Sequence, residues 1–335
     1  MGEWEARRGG RLDKRPARAT RSPVLPAPPV GVVGLGAVGT SIGLALRAAG
    51  EVTIGFDISA RHLELSANAG AITRRSPGLT GFSGCRAVFV AVAPGDVVGV
   101  SRRLLELTDA TVVDVASVKA EIAGAIKEPR FVPSHPLRGT HLSGPAAGSK
   151  DLFAGGVWAV CPSPWTSLEG LILAQDLIRK MGAEPLLLDP SEHDTIMAAT
   201  SHLPHVAAAS LVHVLGALDH ALACRLVGAG FLDTTRIARA SSSLWADITL
   251  HNREEVSASI GEMVNRLEAV KCAFDAGDRE GILSFFADAS RLIEDRMPQQ
   301  NPVPSRSRKA RRPSNALSLG HRRQRPLAGE LGGVH

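Results

Sequence analysis

Three features of this 335-residue sequence predict a doubly wound α/β sheet followed by an all-helical domain. Short apolar runs bounded by Gly, Pro or Asp recur between Val30 and Asp189 and alternate with segments of helical periodicity. A glycine-rich turn joins the first run to the first helix, and after Asp189 only helical patterns continue. Val-rich runs of this length read as strands buried on both faces. Strands alternating with helices build right-handed βαβ units around a parallel sheet.

The runs VGVVGL, VTIGFD, AVFVAVA, TVVDVAS, RFVPSHP, VWAVCP and PLLLD are the predicted strands, in that order. Beyond them, Ser191 with Asp194 matches a capping box at a helix start, and Asn252 with Glu255 matches a second. Ile260, Met263, Val264, Leu267, Val270 and Phe274 then recur at helical spacing. That stripe reads as core or subunit interface rather than as a cofactor groove. The resulting division is a basic tail over 1–29, a dinucleotide-binding domain over 30–189, a helical domain over 190–297 and a second basic tail over 298–335.

The formal charge of +5 is unevenly distributed. Residues 1–30 carry +4 and residues 298–335 carry +7, leaving −6 on the body between them. Both tails are poor in large apolar residues and lack periodicity, which predicts disorder. They also lack interleaved aromatics for base stacking, so their charge does not indicate a specific nucleic-acid partner. The four cysteines, Cys85, Cys161, Cys224 and Cys272, are widely spaced and form no CxxC pair. This argues against a zinc site or disulfide framework and for a reduced, cytoplasmic setting. Without an 18-residue apolar stretch or an apolar secretory signal, no membrane association is expected. The chain has no tyrosine, so no phenol is available for acid–base chemistry.

VGVVGL runs into Gly34-Leu35-Gly36-Ala37-Val38-Gly39 and then a helical segment, which is the context a dinucleotide-binding GxGxxG requires. In such a Rossmann-type turn the first glycine permits the tight bend, the second lets backbone approach a pyrophosphate, and the third allows close helix packing. The helix N-terminus supplies free N–H groups and partial positive charge to the phosphates. Asp57 ends the second run 18 residues after Gly39, where a carboxylate accepts hydrogen bonds from a ribose 2′-OH. The same charge opposes a 2′-phosphate by roughly 1–4 kcal/mol, so NAD is expected over NADP, with Arg61 as a partial offset. The alternative for Asp57 is a strand-end cap.

Polar groups concentrate in Asp114-Val115-Ala116-Ser117-Val118-Lys119, in SHPLRGTHLSG (134–144), in SHLPH (201–205) and in the segment around TRIA (235–238), followed by Trp245. From the residues alone, His135 reads as a loop histidine and Ser117 as a helix cap. His202 and His205 read as half a metal site without a second pair, and Arg236 as an ion-pair partner of Asp233.

Taken in this order behind a GxGxxG loop, the segments resemble the prephenate/arogenate dehydrogenase family of tyrosine biosynthesis over residues 30–297. The resemblance implies oxidative decarboxylation of prephenate to 4-hydroxyphenylpyruvate with NAD, or the same chemistry on arogenate, by a homodimer with a helical dimerisation domain. It implies that His135 accepts the proton of the substrate C4 hydroxyl, with Ser117 close to that hydroxyl and the nicotinamide. It assigns substrate binding to Arg236, His205, His202 and Trp245, cofactor binding to Gly34, Leu35, Gly36, Ala37, Val38, Gly39, Asp57 and Ser117, and requires no metal. The sequence departs from the family pattern at Arg138, His141, Leu232 and Ala240, positions that bear on the substrate rather than the cofactor.

Overall fold

The computed structural model describes residues 27–138, 143–218 and 222–296. The expectations for the tails, apart from residues 27–29, and for His141 lie outside this range. Strands β1 (Val30–Val33), β2 (Thr53–Phe56), β3 (Arg74–Arg75), β4 (Ala87–Val90), β5 (Thr111–Asp114) and β6 (Phe131–Val132) form a six-stranded sheet in the order β3-β2-β1-β4-β5-β6. Every pairing in it is parallel. This is the doubly wound order, in which the chain reverses direction across the sheet between β1 and β4 and a crevice opens at the strands' carboxyl ends.

All four residues of β1, β4 and β5 are buried, which is why they read as unbroken apolar runs. Alternation along each strand feeds two cores on opposite faces. Val30, Val32 and Phe89 join Leu46, Trp158 and Leu177 on one face, while Val33, Val88 and Val90 join Phe82, Leu104 and Phe131 on the other. Helices α1 (Ala37–Ala48), α2 (Ala60–Asn68), α3 (Pro94–Leu107), α4 (Ala120–Ala125) and α5 (Leu168–Lys180) supply the covering layers.

RFVPSHP is not one strand. It divides at Pro133 into β6 and β7 (Ser134–Pro136), because proline has no N–H to continue the ladder. β7 joins a second, three-stranded sheet with β8 (Val157–Val160) and β9 (Glu184–Leu187). β7 is antiparallel to β8, and β8 is parallel to β9. The buried indole of Trp158 links the sheets, donating from Nε1 to Ser134 Oγ (2.9 Å), which donates in turn to the Asp114 carbonyl (2.6 Å). At Pro133 the chain thus leaves the parallel sheet, and the rest of RFVPSHP builds the second sheet with VWAVCP and PLLLD.

After β9 the described residues contain only helices and turns: α6 (Pro190–Met197), a π-turn (Ala198–His202), α7 (Leu203–Gly216), α8 (Ala229–Thr235), α9 (Ser242–His251), α10 (Arg253–Asp275) and α11 (Arg279–Arg296). The cap of α6 is Asp189, not Ser191: its carboxylate accepts from Ser191 N (2.8 Å) and Glu192 N (3.2 Å), and Pro190 opens the helix. Asp194 is buried and serves a different helix, as described below. The chain divides into two compact units, one ending at Arg266 and the other beginning at Leu267. Within the second unit α11 has no buried residue, and the rings of Phe285 and Phe286 meet edge-on at 5.4 Å. No helix among the described residues is long and apolar enough to cross a membrane. Cys85 and Cys161 are buried free thiols, and burial pushes them up to about 11 and about 12.

Candidate active site

The glycine loop lies at the end of β1. Gly34 has φ +85°, and a Cβ there would stand 2.4 Å from the Ala91 carbonyl oxygen. At Gly39, a Cβ would meet the Gly34 carbonyl oxygen at 1.8 Å, so α1 packs against the turn only because the residue has no side chain. Gly36 caps α1 and has open space where a side chain would stand. Ala37, Val38 and Gly39 are the first residues of α1, and their N–H groups have no intrahelical acceptor. Asp57 accepts from Leu35 N (2.6 Å) and Ser59 N (2.7 Å), with His62 Nδ1 at 3.6 Å. It therefore ties the loop to the end of β2 while keeping lone pairs for a further donor. Arg61 is exposed on the first turn of α2. Open backbone at Gly36, unpaired helix N–H groups and a carboxylate at the next strand's end together fit a dinucleotide.

At the end of β5, Asp114 and Lys119 are both fully buried and paired, with Nζ 2.6 Å from each carboxylate oxygen. Asp114 also accepts from Ala116 N (2.8 Å) and Ser134 N (3.3 Å), which fixes the Ser117 loop and the start of β7 to one anchor. Burial raises the Asp114 carboxyl above its ordinary range, and Lys119 opposes that rise. Ser117 is half-buried in this loop, three residues before α4; it does not cap α4, whose N-cap position is Lys119.

His135 is the central residue of β7 and is partly exposed. Its Nδ1 lies 3.0 Å from His193 Nε2, and His193 Nδ1 lies 2.7 Å from Asp194 Oδ1. Asp194 in turn accepts from Lys119 N and Ala120 N (both 2.8 Å), capping α4 from α6 across 75 positions of chain. Burial, followed by the neighbouring His193, Lys119 and His202, holds the His135 imidazole well below its usual pKa. The ring is therefore neutral at physiological pH.

A second group of rings continues from the first. The Asn252 side-chain amide donates to the Asp194 carbonyl (2.8 Å) and lies 3.2 Å from His202 Nδ1. His202 meets Trp245 edge-on at 6.0 Å, and His205 stacks on that indole at 3.4 Å between centroids. The π-turn at 198–202 gives this segment its shape: Pro204 has no N–H to extend the α ladder through the turn. His205 Nδ1 donates to the Ser201 carbonyl (3.0 Å). Burial lowers His202 to about 4, against the pull of Asp194. Burial also lowers His205, and the positive charge of Arg236 adds to this. Arg236 is exposed at the end of α8 and pairs with no carboxylate among the described residues, so the expected ion pair with Asp233 does not form.

The structure thus joins His135, His202, His205 and Trp245 through hydrogen bonds and ring contacts, and the positive charge of Arg236 acts on His205. Ser117 is linked to the same anchor through its own loop. No group of three or more metal-ligating side chains occurs among the described residues. Sequence reading missed His193 entirely. It took Asp194 and Asn252 for local caps, although both use side-chain atoms on residues far along the chain. No periodicity marks such contacts; the only signal was a polar His-Asp pair on an otherwise buried face of α6.

Comparison with known proteins bears on this arrangement. The family model described as "Prephenate dehydrogenase, nucleotide-binding domain" matches residues 42–187, starting inside α1, and "Prephenate dehydrogenase, dimerization domain" matches residues 189–288. A prephenate dehydrogenase of Bacillus subtilis is 28% identical over 277 residues, covering 77% of this chain and 73% of that one. The crystal structure of prephenate dehydrogenase from A. aeolicus, in complex with hydroxyphenyl propionate and NAD+, superposes with a TM-score of 0.75 at 26% identity, covering 81% of this chain and 99% of that chain. Synechocystis arogenate dehydrogenase, 23% identical, shares the fold with a TM-score of 0.68, covering 80% of this chain and 98% of that chain. Both domain models fall on this chain in order and together span well over half of it: the chain belongs to the prephenate dehydrogenase family of oxidoreductases.

Proposed function

We propose that the protein catalyses the NAD-dependent oxidative decarboxylation of prephenate to 4-hydroxyphenylpyruvate, with His135 as the proton acceptor. One observation carries this reading: His135, an imidazole held neutral, lies in a connected cluster of rings, and the positive charge of an arginine without a carboxylate partner among the described residues acts on the last of them, His205. Prephenate is a dianion bearing a ring hydroxyl, so it needs both a base and a cationic fork.

Bound NAD supplies the acceptor for the hydride that leaves the substrate's C4 as the ring aromatises and the C1 carboxylate departs as carbon dioxide. The N–H groups of Gly36, Ala37, Val38 and Gly39 hold the diphosphate, Leu35 lines the turn, and Asp57 accepts from the ribose. The A. aeolicus enzyme, crystallised with NAD+, supports this choice of cofactor. His135 hydrogen-bonds the C4 hydroxyl, takes its proton, and returns it to the phenolate oxygen once carbon dioxide has left. Ser117, on the loop anchored by Asp114, orients that hydroxyl beside the nicotinamide. Arg236 holds a substrate carboxylate through its planar fork. His205, His202 and Trp245 form the wall behind the ring, and no metal takes part.

Residues 30–189 form the cofactor domain and residues 190–297 the substrate and dimerisation domain of a homodimer. The family's dimerization model over 189–288 supports the second assignment. Free, widely separated cysteines support a reduced, cytoplasmic setting. The decisive experiment follows NADH production by purified protein with prephenate and with arogenate, using NAD and NADP. The expected result is turnover with prephenate and NAD. Turnover confined to arogenate reassigns the substrate, and no turnover with either rejects the reading.

A further inference from the structure

The geometry points to His193 as a positioning residue that fixes the tautomer of His135, so that Nε2, and not Nδ1, is the base of the reaction. This rests on the proposed role of His135. It follows from tracing donors and acceptors outward from Asp194. That carboxylate already accepts backbone N–H groups from Lys119 and Ala120, and an ionised carboxylate only accepts. The ring atom 2.7 Å from Asp194 Oδ1, His193 Nδ1, therefore carries the proton. We assign the lone pair to His193 Nε2; the ring atom 3.0 Å from it, His135 Nδ1, then donates. His135 is left with Nδ1–H bound inward and a free lone pair on Nε2.

Burial makes the arrangement rigid. His193 is 0% exposed and Asp194 3% exposed, on a helix whose Asp194 carbonyl accepts from the Asn252 amide. The two imidazole planes meet at 74° with centroids 5.2 Å apart, an edge-on contact that allows a ring-to-ring hydrogen bond but no stacking. In the proton step, the substrate O–H bond breaks and a His135 Nε2–H bond forms. Nδ1–H stays on His135, and the new imidazolium donates to His193 Nε2, whose ring is held on its far side by the Asp194 carboxylate. Without His193, His135 populates both tautomers and is free to rotate, so a fraction of the enzyme presents a protonated nitrogen to the hydroxyl. A carboxylate–histidine relay with the wrong tautomer can cost several orders of magnitude in turnover, and the partner that orients a functional histidine is worth about 10- to 100-fold where the histidine ligates a metal.

The test has two independent readouts. In ¹⁵N spectra of histidine-labelled protein, with His135 identified by its loss in His135→Asn, His135 is expected as the Nδ1–H tautomer in the parent. In His193→Phe the Nε2–H form is expected to appear. In turnover, His193→Phe is expected to lose about 100-fold in kcat, with the KM for NAD unchanged. His193→Gln, whose side-chain carbonyl can still accept from Nδ1–H, is expected to recover most of the loss. An Nε2–H tautomer in the parent overturns the inference, as does parental kcat in a folded His193→Phe, or a Gln variant no better than the Phe variant. If His193→Phe does not fold, the parental spectrum alone decides. The spectrum needs no substrate, so it stands apart from the substrate panel: a parent inactive on both substrates rejects the function whatever the tautomer.

Discussion

Lys119 and Asp114 form an ion pair with both side chains fully buried at the end of β5, and through their backbone and carboxylate contacts the Ser117 loop, β7 and α4 share one anchor. Such a pair need not stabilise the fold relative to apolar residues, but removing one partner leaves a buried charge uncompensated. Lys119→Met is therefore expected to destabilise the protein by about 3–5 kcal/mol. Urea unfolding measures this, and a change below 1 kcal/mol would mean that the lysine is not what keeps Asp114 ionised.

Gly39→Ala is expected to weaken NAD binding and lower stability together. The new Cβ would overlap the Gly34 carbonyl, a backbone atom in a turn that has no freedom to yield. Overpacking of this kind costs roughly 1–3 kcal/mol. Tm and NAD titration report the two effects. Gly36→Ala, where a Cβ meets only open space, should keep Tm while still losing affinity for NAD if that space takes the diphosphate as proposed.

His135→Asn is expected to bind NAD as the parent does and to lose about 10²–10⁴ in kcat, the usual contribution of a general base. Because burial and the surrounding His193, Lys119 and His202 depress the His135 pKa, the active neutral form persists well below pH 6.5. The kcat/KM profile should therefore stay flat from pH 7 through 6.5 and fall only at lower pH. An acid limb centred at or above 6.5 would contradict a base held neutral by its surroundings.

Arg236→Gln should raise the KM for prephenate far more than it lowers kcat, since the proposed carboxylate contact is made equally in the ground and transition states. Loss of a charge-assisted hydrogen bond worth about 1.5–3 kcal/mol corresponds to a rise of about 10- to 150-fold. A fall in kcat with KM unchanged would move Arg236 from holding substrate to acting on the transition state.

Stability should decline in acid through the buried histidines. His202 titrates at about 4 in the fold, against 6.5 for the free side chain, so between these values the unfolded chain binds more protons than the native one. The contribution is fully present above about pH 6.5 and is lost as pH falls towards 4. Tm measured across that interval should drop, and His202→Asn, though less stable at pH 7, should show a shallower slope.

Much of the architecture was legible because it is local. Alternating apolar runs, a glycine turn in strand-to-helix context and a carboxylate at the next strand's end each follow from a few consecutive residues. RFVPSHP was misread as one strand because its proline break matters only once two sheets compete for the chain. The reactive groups were legible as residues but not as a network. His135 and Arg236 stand out by type and motif, whereas His193 has no sequence mark, and Asp194 and Asn252 look like ordinary helix caps until their partners are known.

By itself the sequence determined the strand and helix types, the cofactor turn and the family of chemistry, because backbone propensity and motif spacing act within a few residues of chain. Only the tertiary structure decided which polar atoms meet. Asp194 reaches Lys119 across 75 positions, and His193 reaches His135 across 58. Contacts at that separation are fixed by burial, which leaves a polar group no water to turn to and so requires a partner from wherever the fold brings one.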